Sequence, residues 1–527
     1  MFAPVIHAWF VRLRKIKMAT DTSPPDTHPS GLRLKLITIA LVLAPLIQVF
    51  DTAVISIALR QMQGSLSATQ DQMAWVLTSY LIALAVMTPL WGALSGTFGR
   101  KRLLLISIAG FVVCSLFSGT SQSLGEILVY RFVQGMFGAA LIPLSQSSLF
   151  SIYPREDFGV AMGWWGVGIM FGPVFGPTLG GYITEYFSWR WTFYMNLPLG
   201  LLAFVMIALL VPRAATRKKG KFNYFGFTML AIVVASVQFI LDRGERLDWY
   251  SSQTIIILTM AGAASLWVFM VNSFTSSNPI VDPIIFKDRN YVSGIVLRVL
   301  FGAMLFGSLV LVPPFIQNQG GYSMIDSGVI MAPRGLGAMA AAMFVGRLIK
   351  FIDPRKVIAF GMSVAGLTMW ELSTLTGDVS ENHLITINFI QGIAFSCFII
   401  PVNAIAFSTL ASEQRDIGTA FYSLLNNIGR SLGIALLASY LARNTQAAYS
   451  VLSESISPYN DGLRHFSAPE AWSLADPSGL LALNHMVTRQ AELIAYVADF
   501  QLLTAIIVIC LPILFLMRNP LRKSRTL

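Results

Sequence analysis

Two ionisable side chains stand in stretches that are otherwise apolar. Asp51 lies within the run at about 35–59, and Arg131 within the run at about 125–150. A carboxylate inside an apolar span costs about 2.5–3.5 kcal/mol on insertion scales. That cost favours the protonated form, so such a group is suited to take up and release a proton. At about 1.5 Å per residue from the outer ends of their runs, Asp51 is about 12 Å deep and Arg131 about 9 Å deep. The two therefore share a level. Arg131 is expected to bias the protonation of Asp51 and to repel cations while unpaired. The competing reading is a permanent ion pair joining the two segments. Arg298, Arg334 and Arg430 also fall inside apolar runs. Buried arginines face a cavity or a partner. Arg334 is a candidate contact for an anionic group, and Arg430 fits a structural role in Gly429-Arg430-Ser431-Leu432-Gly433.

A second group is defined by smallness. Gly163, Gly166, Gly168, Gly172, Gly176, Gly180 and Gly181 share one run with Pro173 and Pro177. Small residues let helix backbones approach closely, and proline bends a span. A hinge and seal between moving parts is expected here, against plain tight packing. Gln134, Phe137, Trp164 and Arg334, with Trp75, Tyr80 and Trp165, are candidates for lining a greasy cavity. A cavity with so few polar anchors would discriminate poorly between ligands.

These side chains need segments that can hold them in lipid. The chain of 527 residues is 55% hydrophobic and only 12% charged, about half the charged fraction of an ordinary soluble protein. Apolar runs fall at about 35–59, 73–96, 103–122, 125–150, 157–183, 192–211, 224–241 and 253–273. Six more fall at about 290–318, 325–349, 355–375, 383–408, 414–442 and 489–517. Each is long enough to cross a membrane as a tilted helix, which predicts fourteen transmembrane helices. The runs are too long and too continuous for barrel strands.

The net charge of +11 is distributed by topology. With the N-terminus in the cytoplasm, 25 basic residues fall in inside segments and 7 in outside segments. That asymmetry is the one inserted membrane proteins show, and the even count returns the C-terminus to the cytoplasm. Charge spread over short loops gives no reason to expect nucleic acid. Cys114, Cys397 and Cys510 all lie in apolar runs and read as packing residues. No phosphate-binding loop, dinucleotide fingerprint, zinc motif or nucleophile elbow is present, so neither enzyme chemistry nor ATP-driven transport is expected. No cofactor is called for; an ion gradient must supply the energy.

The chain repeats itself. Arg131-Phe132-Val133-Gln134-Gly135 in the fourth run matches Asn388-Phe389-Ile390-Gln391-Gly392 in the twelfth, with Pro143 and Pro401 following. Asp157-Phe158-Gly159-Val160-Ala161 matches Asp416-Ile417-Gly418-Thr419-Ala420. Gly92-x-Leu94 leads to Arg100-Lys101, and Gly346-x-Leu348 leads to Arg355-Lys356. Runs one to six thus map on nine to fourteen, with two inserted between. Parallel six-helix repeats predict two bundles with a binding site at their interface. The expected layout is a tail at 1–34, a first bundle at 35–211, a two-helix insert at 212–275 and a second bundle at 276–518. The second bundle includes an outside loop at 443–488, and a tail at 519–527 follows it.

These motifs resemble those of the major facilitator superfamily, in its fourteen-helix drug:proton antiporter group of EmrB/QacA type. Asp51 to Leu59 resembles the group's first-helix motif, and Gly92 to Arg102, with Gly99, Arg100 and Lys101, the loop motif between helices two and three. Arg131 to Gly138 resembles the fourth-helix arginine motif and Gly163 to Gly181 the fifth-helix antiporter motif. Ser188 to Phe193 with Asn196 to Gly200, Leu241 to Trp249, and Arg489-Gln490-Ala491 with Ala495-Tyr496 match group-specific stretches. The loop motif normally carries an aspartate where Gly96 stands, and that aspartate helps lock the cytoplasmic side. The resemblance implies an all-α polytopic membrane protein of major facilitator fold, two six-helix bundles plus two inserted helices. It implies a proton-coupled exporter of hydrophobic or amphipathic small molecules across the inner membrane. It further implies a periplasmic adaptor and an outer-membrane channel as partners, with the 443–488 loop as a candidate docking surface. An importer or uniporter of a small metabolite is the alternative; the fifth-helix motif speaks against it.

Overall fold

In the computed structural model the described residues are 31–212, 222–375, 379–454, 456 and 477–518. Residues 1–30 of the expected tail at 1–34, the expected tail at 519–527 and most of the loop between 455 and 476 lie outside them. Among the described residues, thirteen helices are long and apolar enough to cross a membrane. The first half holds α1 (Gly31–Ser65), α2 (Gln70–Phe98), α3 (Arg100–Thr120), α4 (Leu124–Ile152), α5 (Phe158–Tyr186) and α6 (Trp191–Leu210). The insert is α7 (Tyr224–Arg243) and α8 (Gln253–Thr275). The second half holds α9 (Arg289–Asn318), α10 (Met324–Leu348), α11 (Pro354–Thr374), α12 (Glu381–Ser408), α13 (Arg415–Glu454) and α14 (Pro477–Cys510).

The helix missing from the apolar count is α13, the expected span at 414–442. It is a continuous helix packed between α9 and α14, but it carries Asn426, Asn427 and Arg430 and runs into polar sequence. Both α13 and α14 extend well beyond the expected span limits. The loop expected at 443–488 is therefore helical at both ends, and Tyr449 Oη donates to Asn484 Oδ1 at 2.6 Å across the pair.

Local sequence sets the helix starts. Thr69 and Gln72 form a reciprocal capping box at α2, and Asp288 accepts from the backbone N–H groups of Asn290 and Tyr291 at α9. Gly99 separates α2 from α3 at φ 84°, a left-handed region that glycine enters without a Cβ penalty.

The packing repeats as the sequence does. In the first half α1 packs on α4, α5 and α6, α2 on α4, and α3 on α4 and α6. In the second, α9 packs on α12, α13 and α14, α10 on α12, and α11 on α12 and α14. The bundles meet through α2 against α13 and α5 against α10, two contacts that the repeat exchanges. The inserted α7 bridges that seam, packing on both α2 and α13. Thr78 Oγ1 donates to Asp242, and Gln238 Nε2 donates to Ser431 Oγ at 2.6 Å. The other inserted helix, α8, packs on α7 and otherwise exposes apolar side chains such as Trp267, Met270 and Phe274.

Candidate functional site

Asp51 and Arg131 meet in the core of the first bundle. Arg131 Nη1 lies 2.8 Å from Asp51 Oδ2, and both side chains are 0% exposed. The common level read from the sequence is thus the level of a direct ion pair. Asp51 Oδ1 accepts from Asn196 Nδ2 at 2.6 Å and from Gln134 Nε2 at 3.3 Å. Gln134 Oε1 in turn accepts from Arg131 Nη1 at 2.7 Å. Asn196 Nδ2 also reaches Ser115 Oγ at 2.9 Å, and Ser115 donates to the Phe193 carbonyl. The guanidinium sits 4.1 Å from the centroid of the Tyr80 ring. Its Nη2 has no hydrogen-bond partner among the described residues. Side chains of α4 and α6 thus hold the α1 carboxylate, backed by Tyr80 of α2 and Ser115 of α3.

Backbone packing holds Asp51 there. Gly168, Gly172, Gly176 and Gly180 recur every four residues on α5 and lie against Val42, Val49, Ala53 and Val54 of α1. A Cβ on Gly172 would stand 2.9 Å from the Val49 carbonyl carbon and 3.0 Å from the Phe50 nitrogen. The turn that carries Asp51 is thus pressed from behind, and the carboxylate faces α4. Gly159 and Gly163 point elsewhere, to α10, where a Cβ on Gly163 would meet the Ala342 carbonyl at 2.7 Å. The stripe is therefore two seams: one inside the first bundle and one between bundles. Gly181 has nothing within 4 Å of its Cβ position and belongs to neither. Pro173 lies within α5 without ending it, while the side chain of Pro177 is outside the described residues.

The loop-motif residues form a closure at one end of the molecule. Gly92 lets α2 touch Ala420 of α13. Arg100 Nε lies 2.6 Å from Asp416 Oδ1 at the start of α13. Lys101 Nζ donates to the Ala208 and Val211 carbonyls at 2.8 and 2.6 Å, where a cation complements the C-terminus of α6. The repeat-related corner is closed by Lys350 paired with Asp157. Arg415 Nη1 adds a bond to the Phe150 carbonyl at 3.0 Å. Gly96 has open space at its Cβ position. The carboxylate paired with Arg100 thus comes from Asp416, across the seam.

The cavity candidates do not gather around one space. Gln134 belongs to the Asp51 cluster. Phe137 packs against Gly110 and lies 6.3 Å from Trp91, centroid to centroid. Trp164 is partly exposed beside Val160, Met343 and Arg347. Arg334 is buried over the Phe395 ring at 4.9 Å and donates to Ser308, with Nε and Nη1 unpaired among the described residues. Sequence reasoning missed Asn196 as a partner of Asp51 and Ser115 as the side chain behind Asn196. An amide in α6 and a serine in α3 carry no spacing signal that ties them to a distant aspartate.

Bundles of this connectivity with buried ionisable groups in the membrane define a multi-pass transporter. The sequence model of the Major Facilitator Superfamily matches residues 41–434, and the chain belongs to that family. It is 33% identical over 477 residues to the "Probable multidrug resistance protein EmrY" of Escherichia coli K12, covering 90% of this chain and 93% of the relative. It is 30% identical over 493 residues to the "Multidrug export protein EmrB" of the same organism, covering 93% and 96%. Among solved structures, the human organic anion transporter MFSD10 superposes with a TM-score of 0.56 at 12% identity, covering 92% of this chain and all of that one. That last likeness concerns the fold.

Proposed function

We propose that the chain is a proton-coupled multidrug efflux antiporter, moving hydrophobic and amphipathic compounds across the inner membrane by alternating access. The buried Asp51–Arg131 pair is the observation that carries this reading. A charge pair in an apolar bundle is expensive to maintain, and such groups mark ion pathways. The names of the relatives, multidrug export and multidrug resistance proteins, point the same way for the substrate.

The exchange runs as follows. In this conformation Asp51 is held by Arg131, Gln134 and Asn196. A proton arriving at Asp51 cancels its charge and weakens its hold on Arg131. The freed guanidinium, already short of one partner, stays over the Tyr80 ring and repels cations. That change in α1 and α4 passes to the bundle seam through the glycine contacts of α5. At the lock, Arg100–Asp416 and Lys350–Asp157 open and close together because the repeat relates them. With the basic loops in the cytoplasm, the conformation described is closed toward the cytoplasm. Arg334 supplies one polar anchor for substrate. A proton moving down 100 mV releases about 2.3 kcal/mol, enough for a roughly fiftyfold substrate gradient.

A periplasmic adaptor and an outer-membrane channel would extend the path. The paired ends of α13 and α14, joined by Tyr449 and Asn484, offer the docking surface. Co-purification of an adaptor, lost on deleting 455–476, tests this. The antiport reading itself is tested by dye flux in inverted vesicles. Uptake driven by an inside-acid gradient is expected, and gradient-independent flux contradicts it.

A further inference from the structure

The second bundle has no counterpart of the Asp51 pair: the place of Arg131 is taken by Asn388, whose Nδ2 donates to the Leu384 carbonyl. It does hold a buried carboxylate of its own. Asp499, on α14, is 0% exposed, and neither of its oxygens has a hydrogen-bond partner among the described residues. Among the described residues, no cation of the elements packed on α14 makes a hydrogen bond to it. On α9, Arg298 lies over Phe301 and Tyr422. On α11, Arg355 holds Asp353 and the Met517 carbonyl, Lys356 lies beside Asp353, and Glu371 pairs with His383. On α13, Arg415 reaches Phe150, Arg430 lies over Phe306, and Arg443 lies toward Glu245. An ionised carboxylate with no partner in such a place is prohibitively costly, so the group is neutral here.

Asp499 is also within reach of one surface. His485, Arg489, Glu492, Tyr496 and Asp499 follow one another at steps of three and four residues and share a face of α14. A cavity of about 610 Å³ opens at the outer end of that face, lined by Asn318, His485, Met486, Thr488, Arg489 and Glu492. Tyr496, buried against Phe315, lies between Glu492 and Asp499 on that face. From Glu492 to Asp499 is about 10 Å along the helix at about 1.5 Å per residue.

We propose that Asp499 is a second proton-carrying site, loaded in this conformation from the outer cavity by way of Glu492 and Tyr496. The proton binds a carboxylate oxygen as the face is wetted and is held once the face closes. It leaves when the bundle's rearrangement lets water back to the carboxyl. This rests on the antiport reading above, and it means that the two bundles carry protons separately.

Infrared spectroscopy of the full-length protein in liposomes tests the site without a substrate. The carbonyl stretch of a protonated, unbonded carboxylic acid is expected in wild type and in Asp51→Asn at neutral pH. It is absent in Asp499→Asn, whose amide matches the carboxyl in shape and leaves the fold intact. It must fade as pH rises. An unchanged band in Asp499→Asn, or one that persists at alkaline pH, overturns the proposal. In inverted vesicles driven by a pH gradient, ethidium accumulation falls in Asp499→Asn by about fiftyfold per 100 mV, the loss of one proton's work. Wild-type ethidium flux that ignores the gradient overturns the antiport reading itself. A driven wild type matched by Asp499→Asn overturns the second site alone.

Discussion

At the scale of the residue, the account turns on one carboxylate with three donors. Removing Arg131 leaves Asp51 buried with its charge unanswered. Arg131→Ala should destabilise the protein by about 3–5 kcal/mol, read as a fall in the unfolding midpoint in detergent. Adding Asp51→Asn to it should restore much of that loss, because the orphaned charge is gone. Two independent costs that add would contradict the pairing. How much of this was legible in the sequence follows from energetics. An ionisable residue in an apolar run announces itself by its cost, so Asp51 and Arg131 stood out. Asn196 and Gln134 are cheap to bury once hydrogen-bonded, so Asn196 stood out only as part of a motif and not as a partner of Asp51, and Gln134 was read as a cavity residue. Asp499 stands in an apolar run by the same criterion and was missed; its lack of hydrogen-bond partners shows only in three dimensions.

At the scale of the element, α5 is the part that transmits. Its glycines divide by direction, a distinction that spacing alone does not give, because it depends on which neighbour lies on which side. Gly172→Val forces a side chain into the backbone of Val49 and Phe50. It should cost about 1–3 kcal/mol and displace Asp51 from Arg131. Gly181→Ala, with open space around it, should leave stability and transport unchanged; equal damage from both would contradict the division. The seam helix α7 is tethered at its outer end by Glu245, which accepts from Ser439 and Trp249 and so is held below the usual carboxylate range. A depressed carboxyl contributes stability at neutral pH and loses it as pH falls through its folded value. Hydrogen exchange at residues 243–251 should therefore quicken on acidification below the usual glutamate range, and Glu245→Gln should abolish that dependence.

At the scale of the whole molecule, the repeat explains why closure needs two corners. The order of motifs along the chain predicted two bundles eight helices out of phase, and the packing repeats with that offset. The sequence did not show that Asp416 would pair with Arg100, because that pairing crosses between halves. Arg100–Asp416 is partly exposed, with side chains 16% and 13% accessible. It is worth about 1 kcal/mol at most. Asp416→Asn should shift the closed population by about fivefold, since 1.4 kcal/mol is tenfold. Labelling of a cysteine placed at Gly96, where a Cβ meets open space, by a cytoplasm-side maleimide reads that shift; unchanged labelling would show that the corner does not gate.

The most direct test of the central claim is pH-gradient-driven accumulation of a hydrophobic dye in inverted vesicles, wild type against Asp51→Asn. Wild type should concentrate the dye and lose that ability when the gradient collapses. Asp51→Asn should still bind and equilibrate dye but gain nothing from the gradient. Accumulation by Asp51→Asn at the wild-type level would contradict a proton role for Asp51 and leave the pair with Arg131 as a fastening between helices.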